Sequence, residues 1–132
     1  MALECLRAAE LMEQHGVSAE VIDLCSIRPL DQQTLLNSVR KTGRALIVDH
    51  GHVMAGVSAE ISSILTESLF NNLKSPPTRI GLPDYPTPTS PSLADNYYPQ
   101  AHQIANRSLK LLGLAKTVSA PSLQRRLDQP DT

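Results

Sequence analysis

Histidine and aspartate residues cluster in one short stretch, Asp49-His50-Gly51-His52, which follows an apolar, β-branched segment. A His-x-His pair could supply two ligands to a transition metal. The stretch also stands where a strand should end, and open α/β sheets bind ligands at the carboxyl ends of their strands. No third ligand is fixed by the spacing, because His15 and His102 lie far away in the chain. A polar loop at a domain or subunit contact is therefore the favoured interpretation, and no metal ligands are predicted.

Two other polar residues are candidates for chemistry. Arg28 follows the first predicted strand, is expected at the same edge and could bind an anion, although a turn or an interface salt bridge is the favoured role. Asp84 lies in a proline-rich segment, where capping a turn is a simpler role than acid or base chemistry. The dinucleotide and P-loop fingerprints are absent, and no nucleophile elbow surrounds the serines at 58, 62 and 63. The residues alone predict no catalytic and no cofactor-binding side chains, and hence a non-catalytic α/β domain.

Two short segments, 19–24 and 44–49, are apolar and β-branched, as strands buried on both faces should be. Between them Asp31 can cap a helix, and Gly43 can end it. A strand, a helix and a strand at this spacing predict a crossover unit with parallel strands and a right-handed connection.

Periodicity predicts the flanking elements. A first helix is expected over residues 2–15 and another from a cap at Ser58; their predicted inward-facing residues are Leu3, Leu6, Ala9 and Met12 in the first, and Ile61, Leu65, Leu69 and Phe70 in the second. A short strand is expected over 78–82, and Pro91 is expected to open a short helical turn. The last helix should run from about residue 99 to 112, with Ile104, Leu109 and Leu112 facing inward.

Composition narrows the function classes. The 132 residues suit one domain, expected over 1–113 and followed by a disordered tail over 114–132. Twelve basic and thirteen acidic residues give a net charge of −1, which argues against nucleic-acid and membrane-surface partners. No apolar run is long enough to span a bilayer. The cysteines, Cys5 and Cys25, are expected to be reduced thiols in a cytoplasmic protein.

Several blocks resemble, in order, the C-terminal domain of the transketolase-like thiamine diphosphate enzymes, and in particular the β subunit of the E1 component of 2-oxoacid dehydrogenases (pyruvate, branched-chain and acetoin types). The blocks are Ala19–Asp31, Lys41–Asp49, Gly56–Phe70, Pro83–Pro88 and Tyr98-Pro99. The first departs from the family pattern at Cys25, where arginine is usual. The resemblance covers roughly residues 2–113.

This resemblance implies a three-layer α/β/α domain with a mostly parallel open sheet. It implies an assembly domain in an oligomer with E1 α and β subunits, or with the rest of its own chain, and a possible docking surface for the peripheral subunit-binding domain of E2. Thiamine diphosphate and magnesium are expected in the full enzyme but not in this chain. No catalytic position of the family has a match here. The residues expected at contacts are Arg28, Asp49, His50, His52, Asp84 and Tyr98.

The chain departs from the family at its start. Family members carry an apolar strand, central in the sheet, directly before the first helix, whereas this sequence begins at that helix. A piece of a longer β subunit or a truncated reading frame would explain this, and either predicts a marginal or rearranged monomer. Two other functions stay open: part of a split transketolase or deoxyxylulose-phosphate-synthase-like enzyme, or a small anion-binding module that uses Arg28 and the His50–His52 stretch.

Overall fold

A computed structural model describes residues 1–94 and 97–120 of the chain. The helices are α1 (Ala2–Glu13), α2 (Gln32–Thr42), α3 (Val57–Leu69), α4 (Pro91–Ala94) and α5 (Ala101–Leu111), with a 3-10 turn at Phe70–Asn72 after α3. The strands are β1 (Leu46–His52) and β2 (Thr78–Leu82). None of the helices in this part of the chain is long and apolar enough to cross a membrane.

The two strands form a parallel pair in which Leu46 lies opposite Thr78 and Val48 lies opposite Ile80. Helix α3 connects them, because parallel strands need a crossover rather than a tight turn. The observed crossover unit is therefore β1–α3–β2, and the unit predicted over residues 19–49 is wrong because its first strand is not formed.

Helices cover both faces of this pair, and the side chains around the start of β1 alternate between the two layers. Ala45 and Ile47 pack against a buried cluster on α2 and α3, whereas Leu46 and Val48 pack against a cluster on α1 and α5. The first cluster comprises Leu35, Val39, Ile61, Leu65 and Leu69, and the second Ala8, Met12, Ile104 and Ala105. The α/β fold with helices on both faces is as predicted.

The strand predicted over 19–24 is wrong. Residues 17–26 have no regular secondary structure, and β1 pairs only with β2 in the described part of the chain. The segment still packs, since Ile22 and Leu24 contact the α2–α3 cluster. A strand needs a neighbour for its backbone groups, and local β-propensity supplies none.

Three predicted inward-facing residues point outward instead. Leu3 and Leu6 are 53% and 51% exposed, because α1 turns the face containing Ala8 and Met12 toward α5. Phe70 is 73% exposed, because α3 gives way to a 3-10 turn at this residue and the helical spacing ends. The 3.6-residue pattern identified the helices but not which side of α1 would be covered.

One of the predicted helix caps is also wrong. Helix α3 begins at Val57 with Gly56 as its N-cap, so Ser58 lies inside the first turn and is buried. The caps of α2 are as predicted: Asp31 accepts a hydrogen bond from the Thr34 backbone N–H at 3.0 Å, and Gly43 ends the helix with a φ of 70°.

The two cysteines are free thiols, with Cys25 exposed and Cys5 partly covered. Burial raises the pKa of the Cys5 thiol, because a less hydrated site disfavours the thiolate.

The predicted tail begins with residues that contact the fold. Residues 114–120 have no regular secondary structure, but Val118 packs against the α1–α5 cluster. Asn106 on α5 both donates to the Val118 carbonyl at 2.8 Å and accepts from its N–H at 2.7 Å. Residues 121–132 lie outside the described residues, so the structure does not test the predicted disordered tail over that range.

Candidate interaction site at the carboxyl edge of the sheet

The stretch predicted as a loop after the strand is largely part of the strand. Strand β1 continues through His50 to His52, which lies opposite Leu82. The register shifts between Val48 and His52, so that four steps along β1 span two steps along β2. Such a bulge redirects side chains at the end of a strand. The Asp49 carboxylate supports this bend by accepting a hydrogen bond from the Gly51 N–H at 3.0 Å.

The chain turns sharply after β1. A Cβ atom on Gly56 would collide with the His52 carbonyl oxygen, and one on Gly81 would lie 2.6 Å from the carbonyl oxygen of Gly51. The Arg79 guanidinium on β2 donates to the Val53 carbonyl at 2.6 Å and so ties the turn to the neighbouring strand. The backbone at this edge is therefore closely packed.

Four rings lie in a chain across this edge. The His50 imidazole meets the Tyr98 ring edge-on, with 5.6 Å between centroids. Tyr98 packs edge-on against Tyr97 at 5.2 Å, and Tyr97 against Tyr85 at 5.3 Å. Edge-to-face packing is a favoured geometry because the positive edge of one ring meets the negative face of the next. The four rings connect β1 to the proline segment and to the residues before α5.

Tyr97 anchors this group. It is only 3% exposed, and its hydroxyl donates to the Tyr85 carbonyl at 3.0 Å, which satisfies the polar end of a buried ring. The outer rings stay accessible: Tyr98 is 39% exposed and Tyr85 is 53% exposed, and His50 is exposed as well. We call His50, Tyr85, Tyr97 and Tyr98 the ring surface.

The neighbourhood of the ring surface contains two further predicted residues. An open cleft of about 400 Å³ is lined by His52, Asp84, Tyr85, Pro86, Thr87 and Tyr97. The structure thus places the His50 ring against Tyr98, and it places His52 and Asp84 around one cleft beside the ends of β1 and β2. Met54 lies two residues beyond the end of β1 and is 81% exposed.

Arg28 does not lie in this group of residues. It is exposed, and no hydrogen bond, ion pair or ring contact joins it to another residue in the described part of the chain. Its position in a separate loop follows from the loss of the strand predicted before it.

Sequence reasoning missed two of the four rings. The sequence predicts no role for Tyr97 or Tyr85, although Tyr97 directly precedes the Tyr98-Pro99 block and Tyr85 lies within Pro83–Pro88. An aromatic residue among prolines, in a chain with only 3% aromatic residues, is the signal that could have found them.

The donors present do not suit a diphosphate cofactor with magnesium. Magnesium prefers carboxylate and other oxygen ligands, but within residues 1–94 and 97–120 no three His, Cys, Asp or Glu side chains are grouped to hold a metal ion. A cavity of about 430 Å³ in the described part of the chain is lined mainly by apolar side chains, which offer no ligands to magnesium or a diphosphate.

Comparison with known proteins agrees with this architecture. The family described as "Transketolase, C-terminal domain" matches residues 1–104. The chain is 44% identical over 103 residues to the pyruvate dehydrogenase E1 component subunit beta-1 of Arabidopsis thaliana, covering 78% of this chain and 28% of the relative. It is 37% identical over 107 residues to the corresponding β subunit of Dictyostelium discoideum, covering 81% and 30%.

Two further similarities come from other enzymes. The β subunit of the acetoin:2,6-dichlorophenolindophenol oxidoreductase of Bacillus subtilis is 35% identical over 108 residues, covering 82% of this chain and 32% of the relative. A solved structure titled "Split gene transketolase, inactive beta4 tetramer" superposes with a TM-score of 0.71 at 26% identity, covering 87% of this chain and 37% of that one. The chain thus spans about a third of the length of its relatives. It belongs to the transketolase C-terminal domain family.

Proposed function

We propose that this chain is a non-catalytic assembly domain of a 2-oxoacid dehydrogenase E1 β-like subunit, with residues 1–113 as the domain. In the complete enzyme it would support thiamine-diphosphate-dependent oxidative decarboxylation by holding subunits together. The observation that carries the proposal is the ring surface, in which exposed aromatic side chains are held in place by a buried tyrosine. The relatives named as β subunits of multi-subunit enzymes support the same role.

The composition of this edge favours protein contact. Tyrosine and methionine are enriched in the cores of protein–protein interfaces, and tyrosine supplies a large, rigid contact area at low entropic cost. Tyr98 and Tyr85 are exposed but already ordered by edge-to-face packing and by the bond from Tyr97. Preorganised side chains lose little freedom on binding, so more of the contact energy appears as affinity. His52 and Asp84 would add polar contacts at the rim.

The proposed partners are E1 α and β subunits, or the rest of the chain's own subunit, in an oligomer. The peripheral subunit-binding domain of E2 is a further proposed partner. Thiamine diphosphate and magnesium would be bound by other parts of the complete enzyme. A cytoplasmic location stays a prediction, since the relatives include mitochondrial as well as bacterial proteins.

Association with an isolated E1 α subunit tests the proposal. The purified chain, mixed with the pyruvate dehydrogenase E1 α subunit of Arabidopsis thaliana, should co-elute with it in size-exclusion chromatography with light scattering. Titration of the chain alone with thiamine diphosphate and magnesium should give no binding heat in calorimetry. Saturable cofactor binding by the chain alone, or elution as two separate peaks with the α subunit, would contradict an assembly role.

A second function is favoured by the structural neighbour. The split-gene transketolase protein matches 87% of this chain, so we also consider a C-terminal part of a split transketolase or deoxyxylulose-phosphate-synthase-like enzyme. The same chromatography distinguishes the two. Co-elution with the separately encoded N-terminal subunit of a split transketolase, and not with an E1 α subunit, would select this second function.

A further inference from the structure

Four cationic residues meet at the amino edge of the sheet, at the other end of the strands from the ring surface. They stand in the last turn of α2, directly after that helix, and in the connection that leads to β2: Arg40, Lys41, Arg44 and Lys74. The Lys74 N–H donates to the Gly43 carbonyl at 2.8 Å, and a Cβ atom added to Gly43 would lie 2.9 Å from the Lys74 Cγ atom. The Lys74 side chain therefore crosses the end of α2, beside the other three cationic residues.

Most of this positive charge is not neutralised. Lys41 forms an ion pair with Glu20 at 3.4 Å, but the two side chains are 68% and 44% exposed, and exposed pairs contribute little. No ion pair involves Arg40, Arg44 or Lys74 in the described part of the chain. The chain as a whole has a net charge of −1, so the excess of positive charge is local to this edge.

An exposed aromatic side chain lies next to these charges. Phe70 begins the 3-10 turn after α3 and is 73% exposed. The turn packs on the end of α2, since a Cβ atom added to Gly43 would also lie 2.9 Å from the Asn72 carbonyl oxygen. Glu67, one turn before Phe70, accepts a hydrogen bond from the Ser63 hydroxyl at 2.8 Å. The edge thus combines an apolar ring with four cationic residues and only two of these neighbouring carboxylates.

The two cations within α2 have a structural role as well. Arg40 and Lys41 complement the negative end of the α2 dipole, as basic residues in a last turn do. That role does not account for Lys74, which lies outside the helix, or for the ring of Phe70, which faces water. We call Arg40, Lys41, Arg44, Phe70 and Lys74 the basic edge.

The basic edge favours one class of ligand. A small anion would engage the cations and leave the ring in water. Nucleic acids bind to more extensive basic surfaces, and the net negative charge of the chain opposes them. An acidic peptide segment that contains an apolar residue supplies carboxylates for the cations and a side chain for the ring. Aromatic residues and arginine are both enriched in protein–protein interfaces.

We propose that the basic edge binds an acidic segment of a partner protein. Carboxylates of that segment pair with Arg40, Arg44 and Lys74, and one of its apolar side chains covers Phe70. Complementary charge speeds the encounter of two proteins and makes the affinity depend on salt. The basic edge and the ring surface lie at opposite ends of the strands, so this inference is independent of the function proposed above.

The test is a titration of the whole chain with a capped peptide, EELEE, followed by NMR. Saturable shifts should appear in the backbone amides of residues 40–44 and 70–74. The dissociation constant should rise about tenfold or more when sodium chloride is raised from about 20 mM to about 300 mM, because salt screens exposed charges. The uncharged peptide QQLQQ should cause no saturable shifts.

Three variants separate the basic edge from exposed cations in general. Lys74→Ala and Phe70→Ala should each weaken the binding of EELEE by about threefold or more, because each removes one of the two kinds of contact. Both side chains are exposed, so the fold should be kept. Lys110→Ala is the matched control, since Lys110 is also an exposed cation in the last turn of a helix, and it should leave binding unchanged.

Four results would overturn the proposal. They are the absence of saturable shifts at low salt with both EELEE and EEFEE, equal binding of QQLQQ, equal losses of affinity in Lys74→Ala and Lys110→Ala, and tighter binding of a short oligothymidine than of EELEE. Shifts at residues 40–44 and 70–74 that grow with protein concentration alone would assign the basic edge to a second copy and would also overturn it. None of these results depends on whether the chain binds an E1 α subunit.

Discussion

His50 and Tyr98 lie 48 positions apart in the sequence, yet their rings meet edge-on with 5.6 Å between centroids. One ring stands at the end of β1, and the other precedes α5, so the contact connects the sheet to the helix layer. Neither ring is buried, which makes this pair available to a partner while it is held in a defined geometry. The first two predictions concern this contact and the tyrosine beneath it.

Tyr98→Ala should weaken association with an E1 α subunit by about tenfold or more, the size expected when a central aromatic contact is truncated. Its effect on the free energy of unfolding should be small, within about 1 kcal/mol, because the ring is partly exposed. Isothermal calorimetry and urea denaturation measure the two quantities. Leu114→Ala is the matched control, since Leu114 is 37% exposed but lies after α5. Equal losses of affinity in both variants would show that the ring surface is not part of the interface.

Tyr97→Phe should lower the free energy of unfolding by about 1 kcal/mol, because the Tyr85 carbonyl loses the hydrogen bond that the buried hydroxyl donates at 3.0 Å. Tyr85→Phe is the control: this residue takes part through its carbonyl and ring, both of which the variant keeps. Urea denaturation compares the three proteins. A Tyr97→Phe protein as stable as the wild type would show that the bond contributes nothing.

Gly56→Ala should destabilise the chain by about 1–3 kcal/mol, in the range for overpacking. The added Cβ meets the carbonyl group of His52, and because that group is backbone it has little room to shift. The φ of Gly56 is −84°, so the cost comes from the collision and not from a left-handed conformation. Gly51→Ala is the matched control, because a Cβ there meets only the Asp49 side chain, at 3.1 Å. Thermal unfolding should therefore rank Gly56→Ala well below Gly51→Ala, and the reverse order would contradict this account of the turn.

The capping carboxylate of Asp31 should make the stability of the folded chain depend on pH. The Thr34 backbone N–H and hydroxyl donate to its carboxylate and lower its pKa in the folded chain. A carboxyl group whose pKa is lower when folded stabilises the protein above its unfolded pKa, about 3.9, and this contribution is lost as the pH falls through the folded pKa. The stability difference between wild type and Asp31→Ala should therefore be constant from pH 7 to about pH 5 and shrink below about pH 4.

Urea denaturation across this pH range measures the difference. Asp31→Asn is the control, because asparagine can cap the helix without a titrating carboxylate. Its stability relative to Asp31→Ala should not change with pH. A difference between wild type and Asp31→Ala that stays constant down to pH 2 would exclude the carboxylate as the source.

The best-predicted parts of the fold depend on residues that are close together in the sequence. The caps of α2 depend on residues within three positions of the helix ends, so Asp31 and Gly43 could be identified from the sequence. The apolar run Ala45–Val48 predicts the first half of β1, because strands buried on both faces are apolar. The sequence predicted His50, His52, Asp84 and Tyr98 one by one as contact residues, whereas their position at one edge follows from the tertiary structure, because Tyr98 lies on no strand.

The tertiary structure decided what depends on distant partners. Residues 19–24 have the composition of a strand, but pairing is non-local, and no strand among the described residues pairs with them. The periodicity of residues 2–15 predicted α1 but not which of its faces is covered. Ala8 is buried while Leu3 and Leu6 are exposed, because the covered face depends on where α5 packs. The contact of His50 with Tyr98 arises only when segments far apart in the chain are brought to fixed positions around one sheet.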